Sequence, residues 1–107
     1  MTEKRLQTIL AATKKGLQKL YGPRLRGLVL YGSYARGDAT PESDIDVAVI
    51  LDEYKDVGAE IFRSGELNSR ICLRYNVLVA LMPVRERDWL ADDSPFISNV
   101  RHDGVPI

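Results

Sequence analysis

The segment GLVLYGSYARGDATPESDIDVAVIL, residues 27–51, contains two apolar runs separated by a glycine-serine turn and a polar loop. The first run, residues 27–31, is short, continuous and ends at a glycine, which is the pattern of a strand buried on both faces. Residues 34–43 contain a glycine and a proline among small and polar residues, so we expect one helical turn and then a loop. The segment therefore predicts a strand, a turn and a second strand in close succession.

The second apolar run, residues 44–51, alternates between two faces in the manner of a strand. One face carries only apolar residues, namely Ile45, Val47, Val49 and Leu51. The other face begins with two acidic residues and continues with apolar ones, namely Asp44, Asp46, Ala48 and Ile50. Residues two apart on a strand are separated by about 6 to 7 Å at the backbone. We therefore expect both carboxylates to point the same way.

The rest of the chain predicts helices and a third strand. Apolar residues recur at helical spacing over about residues 2–21 and, more weakly, over about residues 54–74. Residues 77–82 form a third apolar run that we expect to end at Pro83. After a charged segment at 85–89, a short C-terminal helix is expected from about Pro95 to His102, with Trp89 and Phe96 packing the tail onto the sheet or belonging to a partner-binding patch. This order predicts an α/β fold, with a small mixed β-sheet of three or four strands packed against helices.

Composition limits the classes of function. The chain has 107 residues, enough for one domain and too few for a catalytic domain with a separate substrate domain. Its 15 basic and 15 acidic residues balance, so direct nucleic-acid binding is not expected. A single cysteine, Cys72, fits a reducing cytoplasm, and no stretch approaches the roughly 20 apolar residues of a membrane span. We expect a cytoplasmic protein without a membrane segment.

The Gly32-Ser33 turn has the chemistry of a phosphate site. A glycine directly after a strand lets backbone N–H groups approach a phosphate, and the Ser33 hydroxyl can donate a further hydrogen bond. Arg36 could reach a triphosphate or an acceptor, or could pair with Asp38 or Glu42 in solvent. The same glycine-serine pattern is common at simple chain reversals, so the turn alone decides little.

The two aspartates strengthen the phosphate interpretation. Asp44 and Asp46 could be solvent-exposed edge carboxylates, but they lie on an apolar strand where unpaired charges would be costly. Carboxylate oxygens, with waters and substrate phosphates, are the ligands that Mg²⁺ prefers. Magnesium held there could neutralise a triphosphate and activate a hydroxyl nucleophile. The combination favours nucleotidyl transfer.

Two motifs carry a specific resemblance. Gly-Ser-Tyr-Ala-Arg-Gly at 32–37 and Ser-Asp-Ile-Asp-Val at 43–47 resemble the active-site signature of the polymerase-β-like nucleotidyltransferase superfamily. Within it, the chain is similar to the minimal nucleotidyltransferases, the MntA-like group, over nearly its whole length. The resemblance implies a polymerase-β-like nucleotidyltransferase core formed as a single minimal nucleotidyltransferase domain over residues 1–107, with the nucleotide at the exposed end of the sheet.

The resemblance also implies roles and a partner. Ser33 would contact nucleotide phosphate, Asp44 and Asp46 would hold Mg²⁺ as catalytic residues, and ATP would be the nucleotide donor. The MntA-like group is typically paired with a small helical HEPN toxin, an RNase. The chain would then be the antitoxin, transferring AMP to a tyrosine of that toxin.

One departure from the superfamily pattern leaves alternatives open. The superfamily usually takes a third carboxylate from a following strand, and residues 75–82 contain no Asp or Glu. Asn76 is the nearest polar candidate, and an asparagine can ligate Mg²⁺ but cannot act as a general base at neutral pH. The alternatives are an antitoxin that acts by stoichiometric binding, or nucleotidyl transfer to a small molecule or RNA.

Overall fold

The computed structural model describes residues 1–107 and contains five α-helices and one mixed four-stranded sheet. In chain order the elements are α1 Glu3–Tyr21, β1 Leu25–Tyr31, α2 Ser33–Arg36, β2 Ile45–Leu51, α3 Val57–Tyr75, β3 Val79–Arg85, α4 Glu86–Ala91, α5 Pro95–Asp103 and β4 Val105–Pro106, with a 3₁₀ turn at Gly22–Arg24. The strand order is β3-β2-β1-β4, where β2 pairs parallel to β3 and antiparallel to β1. The predicted α/β fold is confirmed.

One face of the sheet is sealed by α1 and α3, each 19 residues long. The apolar face of β2 predicted from its alternation lies under them, and Val47 and Leu51 are completely buried. Burying side chains of this size stabilises a fold by about 1.5–3 kcal/mol each. Thr2 caps the start of α1 by accepting a hydrogen bond from the Arg5 N–H at 3.1 Å, and Gly22 ends the helix with a φ of 56°. This helix is therefore confirmed within one residue of its predicted start.

The opposite face is covered mainly by α5. Ile97 and Val100 of this helix pack on Val29, Ala48 and Ile50 in a second, smaller core. Ser94 caps α5 by accepting from the Ile97 N–H at 3.1 Å, as the Ser94-Pro95 pattern predicts. The tail then returns to the sheet, because β4 pairs with β1 and the Ile107 N–H donates to the Leu28 carbonyl at 3.0 Å.

The third strand differs from its prediction. β3 runs from Val79 to Arg85, so it starts two residues late and continues through Pro83 instead of ending there. β3 is an edge strand with only β2 beside it, and an edge strand tolerates the missing N–H of proline on its free side. Leu78, apolar but 66% exposed, lies just outside the strand.

Two further elements were not predicted. The charged segment after β3 forms α4, and the tail forms the two-residue strand β4. Trp89 and Tyr31 pack against the smaller core, and Phe96 meets the Tyr31 ring edge to face at 5.7 Å, so the packing alternative for Trp89 and Phe96 is confirmed. Cys72 is half-buried against the main core. None of the helices combines the length and apolar character that crossing a membrane would need.

Candidate active site

The turn at Gly32-Ser33 connects β1 to the short helix α2. Gly32 has a φ of 75° and ψ of −156°, a conformation that only glycine adopts without strain. The Ala35 and Arg36 N–H groups both donate to the Gly32 carbonyl at 3.1 Å. The N–H groups of Ser33 and Tyr34, at the start of the helix, have no partner within it, and they and the Ser33 hydroxyl are available to an anion. The one helical turn expected after Ser33 is confirmed.

Asp46 lies directly against this turn. A Cβ added at Gly32 would collide with the Asp46 carboxylate, so the glycine is needed both for its φ and for the space beside it. Burial raises the pKa of Asp46, the charge of Asp44 raises it further, and the charge of Arg36 opposes both effects. The two aspartates are therefore close enough for their charges to repel.

The two carboxylates open into neighbouring clefts. A cleft of about 400 Å³, which we call the serine cleft, is lined by Gly32, Ser33, Arg36, Asp46 and five further residues: Tyr31, Phe96, Asn99, Val100 and Asp103. Asp44 precedes the first residue of β2, is exposed, and lines a cleft of about 550 Å³ together with Arg5, Tyr34 and Asn76, among others. The structure thus brings four of the five predicted site residues into one cleft and leaves Asp44 at its neighbour.

Arg36 is held by two carboxylates. Its Nε lies 3.3 Å from Oδ2 of Asp38, and its Nη1 lies 3.5 Å from Oδ2 of Asp103. Pairing with Asp38 was one of the two sequence alternatives, and it coexists with a position on the serine cleft. Hydrogen bonding from His102 and, less strongly, the charge of Arg36 hold the pKa of Asp103 below its usual range. The guanidinium is therefore held by carboxylates from two distant segments of the chain.

Several cleft residues were missed from the sequence. Tyr31 is paired with Asp46 across β1 and β2, and burial and the Asp46 charge raise the pKa of its hydroxyl. Asn99 and Asp103 come from α5, 48 and 52 residues beyond the end of β2 in the chain. No local motif could reveal them, because tertiary packing of α5 on the sheet and the return of the tail to β1 bring them to the cleft.

The position opposite Asp46 on β3 is Ala80. Paired residues of adjacent strands point to the same face of a sheet, so Ala80 is where a carboxylate from this strand would stand nearest to Asp46. Asn76, the sequence candidate, is instead the left-handed C-cap of α3, with a φ of 53°, and lies outside β3. It shares a cleft with Asp44 but has no place in the strand that was expected to carry it.

The donor set fits a cation that also binds substrate oxygens. Neither Asp44 nor Asp46 forms a salt bridge, so only the more distant charge of Arg36 compensates the repulsion between them. No cluster of three or more His, Cys, Asp or Glu side chains is present that could enclose a metal ion. Two carboxylates suit Mg²⁺, which is usually held by one or two protein carboxylates together with water and phosphate.

Comparison with known sequences gives consistent matches. The family model described as nucleotidyltransferase domain matches residues 10–90. A candidate protein adenylyltransferase of Methanocaldococcus jannaschii is 30% identical over 99 residues, which span 92% of this chain and 95% of the relative. The protein adenylyltransferase MntA of Thermococcus cleftensis is 40% identical over 53 residues, 50% of this chain and 52% of the relative.

Solved structures share the fold. A candidate minimal nucleotidyltransferase superimposes with a TM-score of 0.66 at 23% identity and covers 100% of this chain and 97% of its own. A complex of tri-AMPylated HEPN toxin with MNT antitoxin from Shewanella oneidensis aligns with a TM-score of 0.52 at 22% identity, over 92% of this chain and 70% of the other. The fold resembles that of the minimal nucleotidyltransferases, as the sequence motifs predict.

Proposed function

Because the chain belongs to the nucleotidyltransferase domain family, we propose that it transfers AMP from ATP to a tyrosine of a small helical HEPN toxin and thereby acts as an antitoxin. The observation that carries the proposal is the Gly32-Ser33 turn beside the unpaired carboxylates of Asp44 and Asp46. Relatives named as protein adenylyltransferases support the reaction type. The AMPylated HEPN toxin in the Shewanella complex supports the kind of partner.

Each site residue has a role in this proposal. The Ser33 hydroxyl and the first N–H groups of α2 bind the terminal phosphates of ATP, and Arg36 adds positive charge at the same cleft. Asp44 and Asp46 would hold Mg²⁺, which would neutralise charge on the triphosphate and lower the pKa of the attacking hydroxyl. The tyrosine hydroxyl loses its proton to solvent, its oxygen forms a bond to the α-phosphorus, the bond from that phosphorus to the bridging oxygen breaks, and pyrophosphate leaves.

The proposal treats residues 1–107 as a single minimal nucleotidyltransferase domain that works in the cytoplasm, where the free thiol of Cys72 stays reduced. The clefts at Ser33 and Asp44 are open at the surface of the domain. A folded partner protein that brings its own surface to these clefts is a suitable acceptor. Water must be excluded from the site when the partner docks, or ATP would be hydrolysed instead.

Transfer of label tests the proposed function. The chain is incubated with the proposed HEPN partner, Mg²⁺ and ATP labelled at the α-phosphate, and label on the partner is located by mass spectrometry. We expect a labelled tyrosine, a loss of at least about 100-fold in Asp44→Asn, and no change in the matched control Asp93→Asn, whose side chain is exposed and unpaired. Equal labelling in Asp44→Asn would overturn the metal assignment, and absence of label with wild type would overturn the reaction.

A second candidate function is an antitoxin that neutralises its partner by binding alone. This function is favoured by Ala80, the residue of β3 that is paired with Asp46. Because this residue is an alanine, β3 contributes no carboxylate to the site at that position. Inhibition of the partner RNase without ATP, undiminished in Asp44→Asn, would support this function. Ala80→Asp is informative in the other direction: on the enzymatic proposal it adds a metal ligand and raises the labelling rate, and on the binding proposal it changes nothing.

A further inference from the structure

A groove of about 890 Å³ runs along the outer surface of the helix layer formed by α1 and α3, away from the sheet face that carries Asp46. Its floor is apolar where the two helices meet. Gly16 of α1 faces Leu67 of α3 so closely that a Cβ at position 16 would collide with the leucine side chain. The catalytic proposal uses no residue of this groove.

The rim of the groove is strongly basic. Five of the chain's 15 basic residues and only one of its 15 acidic residues line it, so the groove has four positive charges in excess while the rest of the chain has four negative ones. The basic residues are Lys15, Lys19, Arg63, Arg70 and Arg74, and the acidic one is Glu66. A balanced chain therefore concentrates positive charge on one surface.

Most of these charges have no partner. Among the five basic rim residues only Arg63 forms a salt bridge, to Glu60 at 3.3 Å. Five of the seven arginines outside the groove, by contrast, form salt bridges with carboxylates, namely Arg24, Arg36, Arg85, Arg87 and Arg101. Unpaired charges on a groove rim are available to carboxylates from outside the chain.

Large apolar side chains accompany the charges. Leu20 and Leu73 at the edges of the groove are 39% and 84% exposed. Phe62, on the same helix as Leu73 and three turns away, is 88% exposed. Exposed leucine and phenylalanine beside an apolar groove mark a surface that a partner covers.

We propose that this groove binds an acidic amphipathic α-helix of a partner protein. A helix that packs into the groove between α1 and α3 would bury apolar residues at i, i+3, i+4 and i+7 spacing. Acidic residues on either side of that apolar stripe would then contact the basic rim. RNA suits the charge but not the floor, because no aromatic side chain lines the groove to stack a base. A membrane suits flat or convex surfaces better than a concave one.

Binding of a designed peptide tests the inference. The probe is a fluorescein-labelled helix of about 18 residues, roughly five turns, with leucine at the i, i+3, i+4 and i+7 positions and glutamate elsewhere. Its anisotropy is titrated with the full chain. We expect saturable binding, at least about tenfold weaker for the same peptide with lysine replacing glutamate and for a scrambled sequence. In ¹⁵N spectra, the Gly16 amide should shift and the Gly32 amide should not.

Charge reversal in the groove separates the proposed site from general attraction. Lys19→Glu with Arg70→Glu should weaken peptide binding at least about tenfold, and the control pair Lys14→Glu with Arg26→Glu, outside the groove, should change it little. Thermal melts check that both variants fold. Absence of saturable binding, equal loss in both variants, or tighter binding of a single-stranded RNA of about 20 nucleotides or of phosphatidylserine vesicles would overturn the proposal. ATP binding at the serine cleft should be unchanged, so this inference stands or falls independently of the proposed function.

Discussion

The two faces of the sheet are covered to different extents, and the difference separates stability from chemistry. Two helices of 19 residues seal one face, where Val47 and Leu51 of β2 have no exposed surface. The nine-residue α5 covers the other face only in part, so Asp46 on the same strand is half-buried and Ala80 beside it is exposed. A charged group is tolerated on an apolar strand where water or a ligand can still reach it.

A single strand therefore serves two purposes through its alternation. The residues of β2 that face α1 and α3 fix the strand in the sheet, and those facing α5 place a carboxylate against the Gly32 turn. We call the face under α1 and α3 the closed face and the face under α5 the open face. The free-energy cost of burying charge arises on the open face, where it is seen as the raised pKa of Asp46. Burial of apolar side chains on the closed face has to offset that cost.

Truncation on the two faces should show this division, and it is the largest expected effect. Leu17→Ala removes a side chain with 0% exposure from the closed face and should lower the free energy of unfolding by about 2–5 kcal/mol. Phe96→Ala removes a 40% exposed ring that contacts only the edge of the open face and should cost about 1 kcal/mol. Urea unfolding of both variants gives the comparison. Equal losses would mean that the open face carries as much stability as the closed one.

Substitutions of two glycines with positive φ can distinguish the effect of backbone strain on stability from an effect on the nucleotide site. Gly32→Ala should lower the free energy of unfolding by about 1–3 kcal/mol and also displace the Asp46 carboxylate, so Mg²⁺-dependent ATP binding should be lost. Gly37 has a φ of 83°, but a Cβ added there would have nothing within 4 Å. Gly37→Ala should therefore lower the free energy of unfolding by about 1–2 kcal/mol without affecting ATP binding. Chemical denaturation and calorimetric titration with ATP measure the two effects. If both variants bind ATP normally, the close approach of Gly32 to Asp46 has no functional role.

The parts of the fold that were predicted correctly depend on local patterns. The alternation of β2, the apolar stripe of α1 and the Ser94-Pro95 start of α5 each lie within a few residues of one another in the chain. The same holds for the Gly32-Ser33 turn, whose conformation follows from one glycine. Local patterns sufficed for one half of the site.

The parts that were missed depend on contacts between distant segments. β3 begins two residues later than predicted because Asn76 ends α3 in a left-handed conformation. Val77 and Leu78 then form the connection from the helix to the strand. The edge position that lets β3 continue through Pro83 is a property of the strand order, which no local pattern contains. Asn99 and Asp103 reach the serine cleft because α5 packs on the sheet and β4 pairs with β1. The other half of the site therefore depends on tertiary contacts.

The link between Arg36 and Asp103 should affect nucleotide binding more than the chemical step. Asp103→Asn removes one of the two carboxylates that hold the guanidinium, so on the proposed function we expect the KM for ATP to rise about two- to fivefold with kcat nearly unchanged. Asp103→Glu should restore part of the loss. Asp92→Asn breaks a comparable pair, to Arg101 at 3.4 Å, away from the cleft, and serves as the control. A lower kcat at unchanged KM would contradict a positioning role for Asp103.

The smallest effect should be a gain in stability at the site itself. A carboxylate whose pKa is raised by folding holds its proton more tightly in the native state, so its contribution to the free energy of unfolding falls as pH rises from below the unfolded pKa, about 4, through the folded one. At pH 7 and without Mg²⁺, Asp46→Asn removes that penalty and should raise Tm by a few degrees.

The gain should depend on pH and on the metal. At about pH 3, where Asp46 is protonated in both states, the Tm of Asp46→Asn and that of the wild type should converge. Saturating Mg²⁺ with ATP at pH 7 should stabilise only the wild type and reverse the order of the two Tm values. Asp93→Asn, at an exposed position, should follow the wild type throughout. A Tm gain that persists at pH 3 would have to come from packing. The charge of Asp46 would then not destabilise the folded protein.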